Sequence, residues 1–335
     1  ESKITFKVPA GASSGDIIVE VNGQVSEPAG TTVNLEDTSL GWLIRTMGYS
    51  KQSGEYWFAG SSGENSIFRI YYDEGTGKWV RENRRGGMSA QLLYCSTKTS
   101  STGRIFCGYE ALSTGGGGTR YVDTSPAGYL TNCINLGGSG TSTNVRGVAV
   151  DGVRDVVYFA HYYSTSGEGY IKKTDTSCSG VLDDDYGNQS GSWGFIWNPI
   201  VGMAVDEATG DLYVAGKTSI YKVDLSENVT IVKSGFGNIV GIDIVREGEG
   251  DMGILAIADQ GAGKVKVTAE ENLTSEPIEV SGGTNLRAVL WGRRPGMGQV
   301  PSGESSFLSL HHNNGNSGAT SPVLANQLIE VWPKK

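Results

Sequence analysis

The stretch "DEATGDLYVAG" (206–216) decides the fold. An acidic residue and a Thr-Gly turn lead into a short apolar run, "LYVA", that ends at a glycine. Short apolar runs bounded by Gly and Asp are typical of strands joined in hairpins. The stretch therefore predicts an antiparallel hairpin, and its neighbours indicate that the hairpin belongs to a repeat.

Four short apolar runs surround this hairpin, and the same order of runs recurs on both sides of it. Gly147, Gly202 and Gly241 head three of the first runs and Ala288 heads a fourth, at spacings of 55, 39 and 47 residues. Periods of about 40 to 50 residues with four strands each are typical of propeller blades. The copies occupy 40–83, 90–135, 145–184, 200–235, 239–282 and 286–333.

The two ends of the repeat array have matching deficits. The last copy lacks a fourth strand, and "TTVNLED" (31–37) is an alternating strand that belongs to no copy. An unpaired sheet edge invites aggregation, so pairing 31–37 with the last copy would complete its sheet and close a ring. The sequence thus predicts an all-β, six-bladed β-propeller closed by its N-terminal strand. An open row of stacked hairpins is the alternative.

The composition agrees with an all-β fold. Fifty of the 335 residues are glycine, and glycine lowers helix stability by about 1 kcal/mol per position relative to alanine. The net charge of −9 argues against nucleic acid as a partner, because binding phosphate needs a basic stripe. No apolar run is long enough to span a membrane as a helix. The N-terminus does not look like a signal peptide, so an exported protein would be a processed form.

The repeats resemble those of NHL-type six-bladed propellers. "VGMAVDEATGDLYVAGKTSIYKVDL" (201–225) and "GILAIADQGAGKVKV" (253–267) carry the resemblance, with a Gly-x-Ala-Val-Asp strand before a second strand of the Asp-Leu-Tyr-Val-Ala type. It extends over 31–333 and is clearest from 145 to 270. The resemblance implies the architecture but no activity, because such propellers include enzymes, scaffolds and adhesive modules.

The N-terminal segment 1–28 is treated as a unit apart from the propeller of 31–335. "ITFKVP" and "DIIVEVNG" are predicted strands around a Gly-Ser turn, and they resemble the closing half of an IPT/TIG immunoglobulin-like domain. About 28 residues cannot bury a core of their own. The segment therefore belongs to a longer precursor, packs on the propeller, or donates strands to another molecule and links subunits into a filament.

Four cysteines allow three disulfide pairings. Cys95 and Cys107 lie symmetrically about the turn-like "TSSTG", which predicts a Cys95–Cys107 bond across a hairpin and leaves Cys133–Cys178. Buried thiols are the alternative. No two cysteines form a Cys-x-x-Cys pair, which argues against a zinc site.

Three sequons, at Asn188, Asn228 and Asn272, suit a secreted glycoprotein. Together with the disulfides they predict an extracellular or cell-surface location.

No motif predicts a catalytic residue. "GASSG" (11–15) matches Gly-x-Ser-x-Gly, but it joins two predicted strands, whereas the nucleophile motif needs a strand-to-helix turn. His311 and His312 are neighbours on a strand, so their side chains point to opposite faces. His161 in "FAHYYS" is interpreted as an ordinary strand histidine.

Carboxylates offer a candidate Ca²⁺ site. Asp183, Asp184 and Asp185 could bind calcium in a loose oxygen cage, although the spacing is not that of an EF-hand loop. A solvated acidic turn is the other interpretation. Asp151 and Asp206 end first strands and are candidates for the mouth of the channel. No other cofactor is expected.

Trp193, Phe195 and Trp197 alternate in a glycine-rich connection between copies, which predicts that they share one face. If they are exposed, they form a platform for sugar rings or a partner protein. If they are buried, they cover an interface between blades.

These features predict an exported, non-catalytic propeller that acts as a binding or structural module of a cell-surface or extracellular assembly. Its partners would be proteins, or copies of itself joined through residues 1–28 into a filament. A calcium-dependent propeller hydrolase or a lyase with its site over the central channel is one alternative. A polysaccharide-binding module is another.

Overall fold

The structure is a computed structural model of the 335-residue chain. It describes residues 20–21, 24–25, 32–34, 43–49, 56–61, 66–73, 78–84, 91–94, 97–98, 103–111, 118–123, 131–134, 143–163, 169–187, 200–245, 253–269, 278–281, 286–291, 307–312 and 326–331. Side chains are described for most of these residues between 103 and 268 and for Val289.

The N-terminal segment contains a short hairpin. Strand β1 (Glu20–Val21) pairs antiparallel with β2 (Gln24–Val25), so the connection is the two residues Asn22-Gly23. Asn-Gly is the commonest sequence for a two-residue hairpin connection. Of the predicted strand "DIIVEVNG", Glu20 and Val21 are described and pair with the residues that follow; the other predicted strand, "ITFKVP", lies outside the described residues.

The remaining strands follow the predicted copies. They are β3 (Thr32–Asn34), β4 (Leu43–Tyr49), β5 (Tyr56–Ser61), β6 (Ser66–Asp73), β7 (Lys78–Arg84), β8 (Gln91–Tyr94), β9 (Thr97–Lys98), β10 (Arg104–Ala111), β11 (Gly118–Asp123), β12 (Thr131–Asn132), β13 (Thr143–Asp151), β14 (Val156–Tyr163), β15 (Gly169–Asp175), β16 (Val181–Asp183), β17 (Gly202–Val205), β18 (Leu212–Ala215), β19 (Ser219–Val223), β20 (Val229–Ser234), β21 (Ile239–Val245), β22 (Ile254–Asp259), β23 (Lys264–Ala269), β24 (Ile278–Ser281), β25 (Leu286–Trp291), β26 (Phe307–His312) and β27 (Asn326–Val331).

Most of these strands form antiparallel meanders of four. Sheets β17–β20 and β21–β24 each run in chain order. Strands β4–β7 also run in order, and the short β9 adds to β4 in parallel. Strands β8 and β10–β12 join β13–β16 in one sheet through a single residue pair, Glu110 opposite Asn144.

The last sheet is closed by the N-terminal strand, as predicted. Strand β27 pairs antiparallel with β3, with Leu328 opposite Val33 and Ile329 opposite Thr32. The first strands also contact one another in a circuit that runs β4, β8, β13, β17, β21, β25 and back to β4. The architecture is that of an all-β propeller; its predicted number of six blades stays a prediction.

The recurring glycine of the first strands lies where neighbouring sheets approach each other. A Cβ atom on Gly147 would lie 3.6 Å from the carbonyl carbon of Gly202, and one on Gly202 would lie 3.5 Å from the Cα atom of Gly241. It would also lie 3.4 Å from the backbone nitrogen of Ile242. A larger side chain would push the first strands apart, which explains the small residues at these positions.

The core is divided among the spaces between sheets. The cluster between β13–β16 and β17–β20 includes Tyr158, Ile171, Met203 and Val214. The next cluster, between β17–β20 and β21–β24, includes Tyr213 and Ile242 among others. Each sheet is therefore stabilised by its neighbours, which is expected of stacked repeats. Within the described part of the chain, no helix has the length and apolar character to cross a bilayer.

Candidate interaction surface

We call the boundary between sheets β13–β16 and β17–β20 the seam. The turn after β16 lies against the turn between β19 and β20. Tyr186 Oη donates a hydrogen bond to the Asp224 carbonyl oxygen at 3.1 Å, and the Gly187 N–H donates to Glu227 Oε2 at 3.3 Å. These bonds hold the outer parts of the two sheets together.

Aromatic packing fills the inner part of the seam. The rings of Tyr158 and Tyr186 lie with their centroids 5.0 Å apart, and Lys173 Nζ lies 4.9 Å from the centre of the Tyr186 ring. Burial raises the pKa of Tyr158 well above its ordinary value, and the neighbouring Tyr186 adds to the effect. Both phenols therefore stay protonated at physiological pH and contribute packing rather than charge.

An arginine joins the two sheets at the turns that follow their first strands. Arg154 Nη1 donates to Asp151 Oδ2 at 2.9 Å within its own turn and to the Glu207 carbonyl oxygen of the next sheet at 3.0 Å. The Gly152 N–H donates in turn to Glu207 Oε1 at 3.1 Å. The two turns are thus fixed relative to each other.

Five large apolar side chains are exposed in the described part of the chain, and all five lie on the two sheets that form the seam. We call them the apolar rim: Val153 (71% exposed), Val181 (39%), Leu182 (59%), Leu225 (54%) and Ile231 (63%). Val181 and Leu182 are neighbours on β16, and Leu225 and Ile231 belong to the β19–β20 hairpin of the adjoining sheet. Because exposed apolar groups can mark an interaction surface, we take the apolar rim as the candidate.

Part of the rim is placed beside the arginine. A Cβ atom on Gly210 would lie 2.7 Å from Leu225 Cδ2 and 2.8 Å from Arg154 Cζ, so these two side chains converge over this glycine. Gly210 has φ +82°, a conformation that favours glycine over other residues. The site thus combines apolar groups with an arginine that is ion-paired with Asp151.

The sequence carries only a weak signal for the apolar rim. Val153 and Leu225 are single apolar residues within the polar turns "DGVRD" and "DLSEN", where no packing need favours them. Leu182 and Ile231 stand on outer strands, where alternation alone cannot tell an exposed position from a buried one.

The predicted metal-site carboxylates have local partners. Asp183 Oδ1 accepts the Asp185 N–H at 2.9 Å, and Lys172 Nζ lies 2.7 Å from Asp184 Oδ1. Among the residues that the structure describes, no three His, Cys, Asp or Glu side chains are placed to hold a metal ion. Calcium binding at 183–185 stays a prediction, and Lys172 would compete with the ion.

Asp151 and Asp206, predicted at the mouth of the channel, cap the turns that follow their strands. Asp151 Oδ1 accepts the N–H groups of Val153 and Arg154 at 3.1 and 3.0 Å, and Asp206 Oδ1 accepts that of Ala208 at 3.0 Å. Both side chains are buried. Their geometry accounts for the Asp at the end of the repeated motif without a ligand.

The Cys133–Cys178 disulfide is present, with a Cα–Cα distance of 5.0 Å. Cys133 follows β12 and Cys178 lies between β15 and β16, so the bond links the outer parts of two neighbouring groups of strands. Cys107 is buried in β10, and Cys95 lies outside the described residues. The Cys95–Cys107 disulfide stays a prediction.

One predicted glycosylation site is described. Asn228 is exposed in the turn between β19 and β20, and its Nδ2 donates to Asp224 Oδ2 at 2.9 Å. This bond, with others from the same turn, lowers the pKa of Asp224. Asn188 and Asn272 lie outside the described residues, so use of the three sequons stays a prediction.

Of the remaining predicted site residues, three lie outside the described part of the chain and one, His161, lies within it. Trp193, Phe195 and Trp197 lie outside the described residues, so their exposure stays untested. His161 is buried in β14, and burial together with the nearby Lys172 lowers its pKa to about 3. A histidine held neutral in a strand agrees with the ordinary structural interpretation.

Comparison with known proteins gives a fold but no family. No known protein family matches the chain, and no relative was found among the curated proteins. Two solved structures align well. The nidogen/laminin complex is 11% identical with a TM-score of 0.53, covering 77% of this chain and 89% of the other. A luciferin-regenerating enzyme is 10% identical with a TM-score of 0.54, covering 90% and 95%.

A third structure, a Dos1 propeller, is 13% identical with a TM-score of 0.46, covering 86% of this chain and 68% of the other. At such identities the first two likenesses show the fold alone. They support the β-propeller, and its neighbours include a protein in a complex and an enzyme.

Proposed function

We propose that the chain is an exported, non-catalytic β-propeller that acts as a binding or structural module of an extracellular or cell-surface assembly. The observation that carries the proposal is the apolar rim, because its five exposed side chains lie on two neighbouring sheets that are firmly joined. A rigid surface of this kind loses little entropy when a protein partner covers it.

The disulfide supports an extracellular location. Disulfides persist in oxidising compartments and are rare in the cytosol of most organisms. The Cys133–Cys178 bond joins the outer parts of two groups of strands, where it stabilises the fold without serving a reactive site. The exposed sequon at Asn228 agrees with the same location.

The finer version of the proposal is a six-bladed NHL-like propeller with a partial IPT/TIG-like segment in front of it. Residues 1–28 would link copies into a filament by donating strands to a neighbouring sheet. The nidogen/laminin structure is a propeller-containing complex and so provides a precedent for protein binding by this fold. Carbohydrate binding through Trp193, Phe195 and Trp197 is the competing version of a binding role.

Electron microscopy and light scattering of the purified full chain test this proposal. We expect assemblies larger than a monomer, and we expect the double variant Leu182→Ser/Ile231→Ser to shift them toward monomer without a change in melting temperature. The control variant Thr230→Ser, also exposed on β20, should assemble as the parent does. A parent chain that stays monomeric at high concentration would contradict self-assembly.

A further inference from the structure

Asn228 is placed for covalent modification on the folded surface. It is the acceptor of the sequon Asn-Val-Thr (228–230), and both Asn228 and Thr230 are exposed. Asn228 ends the turn between β19 and β20, where its backbone N–H donates to Asp224 Oδ1 at 2.9 Å. The Asp224 N–H donates in turn to the Asn228 carbonyl oxygen at 3.1 Å. The backbone of the acceptor is therefore fixed, with its side chain at the surface.

The side-chain amide of Asn228 can keep a hydrogen bond to Asp224 after modification. Its Nδ2 atom lies 2.9 Å from Asp224 Oδ2 and 3.3 Å from Asp224 Oδ1. An asparagine amide carries two hydrogens, so a sugar on Nδ2 replaces one of them and leaves the other as a donor. The turn therefore accommodates the modified residue with its backbone hydrogen bonds unchanged.

Two residues of the apolar rim lie three positions before and three positions after Asn228. Leu225 belongs to the same turn, and Ile231 lies in β20. Ile231 is opposite Tyr221, and both Tyr221 and Val229 pack against the cluster at the seam. Because alternate residues of a strand share a face, Ile231 lies on the seam side of β20. A protein surface that covers Leu225 and this side of the hairpin must therefore approach Asn228.

We propose that Asn228 carries an N-linked glycan that shields this end of the apolar rim, so that only the unmodified chain assembles through it. An N-linked glycan is bulky and hydrated, so a second protein surface cannot pack closely beside it. The inference rests on the proposed function, because the apolar rim is the surface whose contacts the glycan controls. Shielding also explains how an extracellular protein tolerates Leu225 and Ile231 at its surface, since exposed apolar groups promote aggregation.

The co-reactant is an oligosaccharide linked to a lipid pyrophosphate, which export pathways supply to Asn-x-Ser/Thr acceptors. A bond forms between Asn228 Nδ2 and the anomeric carbon of the first sugar. The bond between that carbon and the pyrophosphate oxygen breaks, and the lipid pyrophosphate leaves with the electron pair. The Nδ2 atom loses one proton, and neither partner is oxidised or reduced.

Secretion of the full chain from a host that performs N-glycosylation tests the modification. The starting protein is the double variant Asn188→Gln/Asn272→Gln, in which Asn228 is the acceptor of the remaining sequon. We expect peptide mass spectrometry to find the glycan on Asn228. Adding Thr230→Ala should abolish the modification, whereas Thr230→Ser keeps the sequon and should retain it. An unmodified Asn228 in the secreted double variant would overturn the proposal.

Hydroxyl-radical footprinting of the glycosylated double variant measures the shielding directly. An endoglycosidase that leaves one sugar on Asn228 keeps the amide linkage and removes the bulk of the glycan. We expect the oxidation of Leu225 to rise severalfold on trimming, whereas that of Val181 should not change. Val181 is opposite Thr174, whereas Ile171 of the same strand packs at the seam, so Val181 lies on the face away from the seam. Equal oxidation of Leu225 before and after trimming would contradict shielding.

Light scattering separates this inference from the proposed function. The fully glycosylated double variant should be monomeric, whereas its trimmed form and its Thr230→Ala derivative should assemble as the unmodified chain does. If all of these proteins are monomeric, the proposed assembly is wrong, and footprinting still decides whether the glycan shields the apolar rim. If the fully glycosylated protein assembles to the same extent as its trimmed form, the glycan does not control the rim and the proposal is overturned.

Discussion

Two boundaries between neighbouring groups of strands are held together in opposite ways. Between β10–β12 and β13–β16 the link is covalent, through Cys133–Cys178, and Arg104 Nη1 adds a hydrogen bond to the Thr176 carbonyl oxygen at 3.0 Å. Between β17–β20 and β21–β24 no covalent bond is needed. There the linker before β21 donates hydrogen bonds to the turn between β18 and β19, from the Phe236 N–H to the Thr218 carbonyl oxygen at 3.2 Å and from the Ile239 N–H to the Lys217 carbonyl oxygen at 2.8 Å. Linker residues 237–238 also lie directly against the turn after β22.

The linker at the second boundary is fixed to the sheet that follows it by the absence of side chains and by one buried carboxylate. Asp259 is fully buried, and its carboxylate accepts the N–H groups of Gly237 and Asn238 at 3.2 and 2.9 Å. Lys266 Nζ lies 3.1 Å from the same carboxylate. Burial alone would raise the pKa of Asp259, but these hydrogen bonds outweigh it and lower the pKa.

The contrast teaches that the repeat sets the strand order, whereas local residues decide how each pair of sheets is joined. One boundary tolerates imperfect packing because a bond spans it. The other is joined only by noncovalent contacts, so its stability is sensitive to the addition of a single methyl group.

Removal of the disulfide should have the largest effect. The bond closes a loop of 45 residues, and the loss of loop entropy in the unfolded chain corresponds to about 4 kcal/mol. We expect the double variant Cys133→Ser/Cys178→Ser to lose most of this stability in urea unfolding. A reducing agent should destabilise the parent by at least this amount and the variant by less. Equal sensitivity of both proteins to reduction would show that another disulfide is responsible.

A methyl group at the second boundary should have the next largest effect. A Cβ atom on Gly261 would lie 2.5 Å from the Gly237 carbonyl carbon and 2.6 Å from the Asn238 nitrogen. Because both neighbours are backbone atoms, we expect Gly261→Ala to cost about 3 kcal/mol in urea unfolding. Gly180→Ala is the matched control, since nothing lies within 4 Å of its Cβ position. Equal stability of the two variants would mean that the linker and the turn after β22 are not this close.

Much of the fold is readable from the sequence because the repeated pattern has a direct physical cause. Gly147, Gly202 and Gly241 mark the close approach of first strands, and Asp151 and Asp206 mark the turns that follow them. The closing strand at 31–37 follows from the unpaired edge that the last copy would otherwise have.

The candidate interaction surface is harder to predict from the sequence, because it depends on which turns of neighbouring sheets contact each other. Arg154 and Glu207 are 53 residues apart in sequence, and nothing local to either indicates their contact. The bulges before Gly147 and Gly241 could not be predicted either, because the paired stretch before each one is too short to reveal the change of face that an inserted residue causes.

A smaller effect should appear in the pH dependence of stability, and it arises from His161 in sheet β13–β16. The folded-state pKa of His161 is about 3, below the ordinary 6.5, so the unfolded chain takes up a proton first as the pH falls. The resulting stability is complete above pH 6.5 and decreases by about 1.4 kcal/mol per pH unit as the pH falls toward 3. We expect His161→Phe to remove this slope between pH 6.5 and pH 4.

Asp175 provides the comparison for this pH experiment. Burial raises its pKa, but hydrogen bonds from Ser177 and Ser179 outweigh burial and hold the pKa at about 2. Its contribution is therefore present above pH 3.8 and is lost as the pH falls toward 2. Asp175→Asn should lower the stability by a constant amount above pH 4 and change its pH dependence only below pH 4. If His161→Phe and Asp175→Asn change the slope over the same pH range, the assignment to His161 is wrong.

The central claim is that the chain closes on itself between β3 and β27, and a cysteine pair tests it most directly. Ile329 lies opposite Thr32, and opposed residues of antiparallel strands are close enough for a disulfide. The variant Thr32→Cys/Ile329→Cys should form that bond, detected by mass spectrometry of the unreduced digest. Asn34→Cys/Ile329→Cys, offset by two residues, should not. Failure of the first pair to form, or equal formation of both, would contradict the closed propeller.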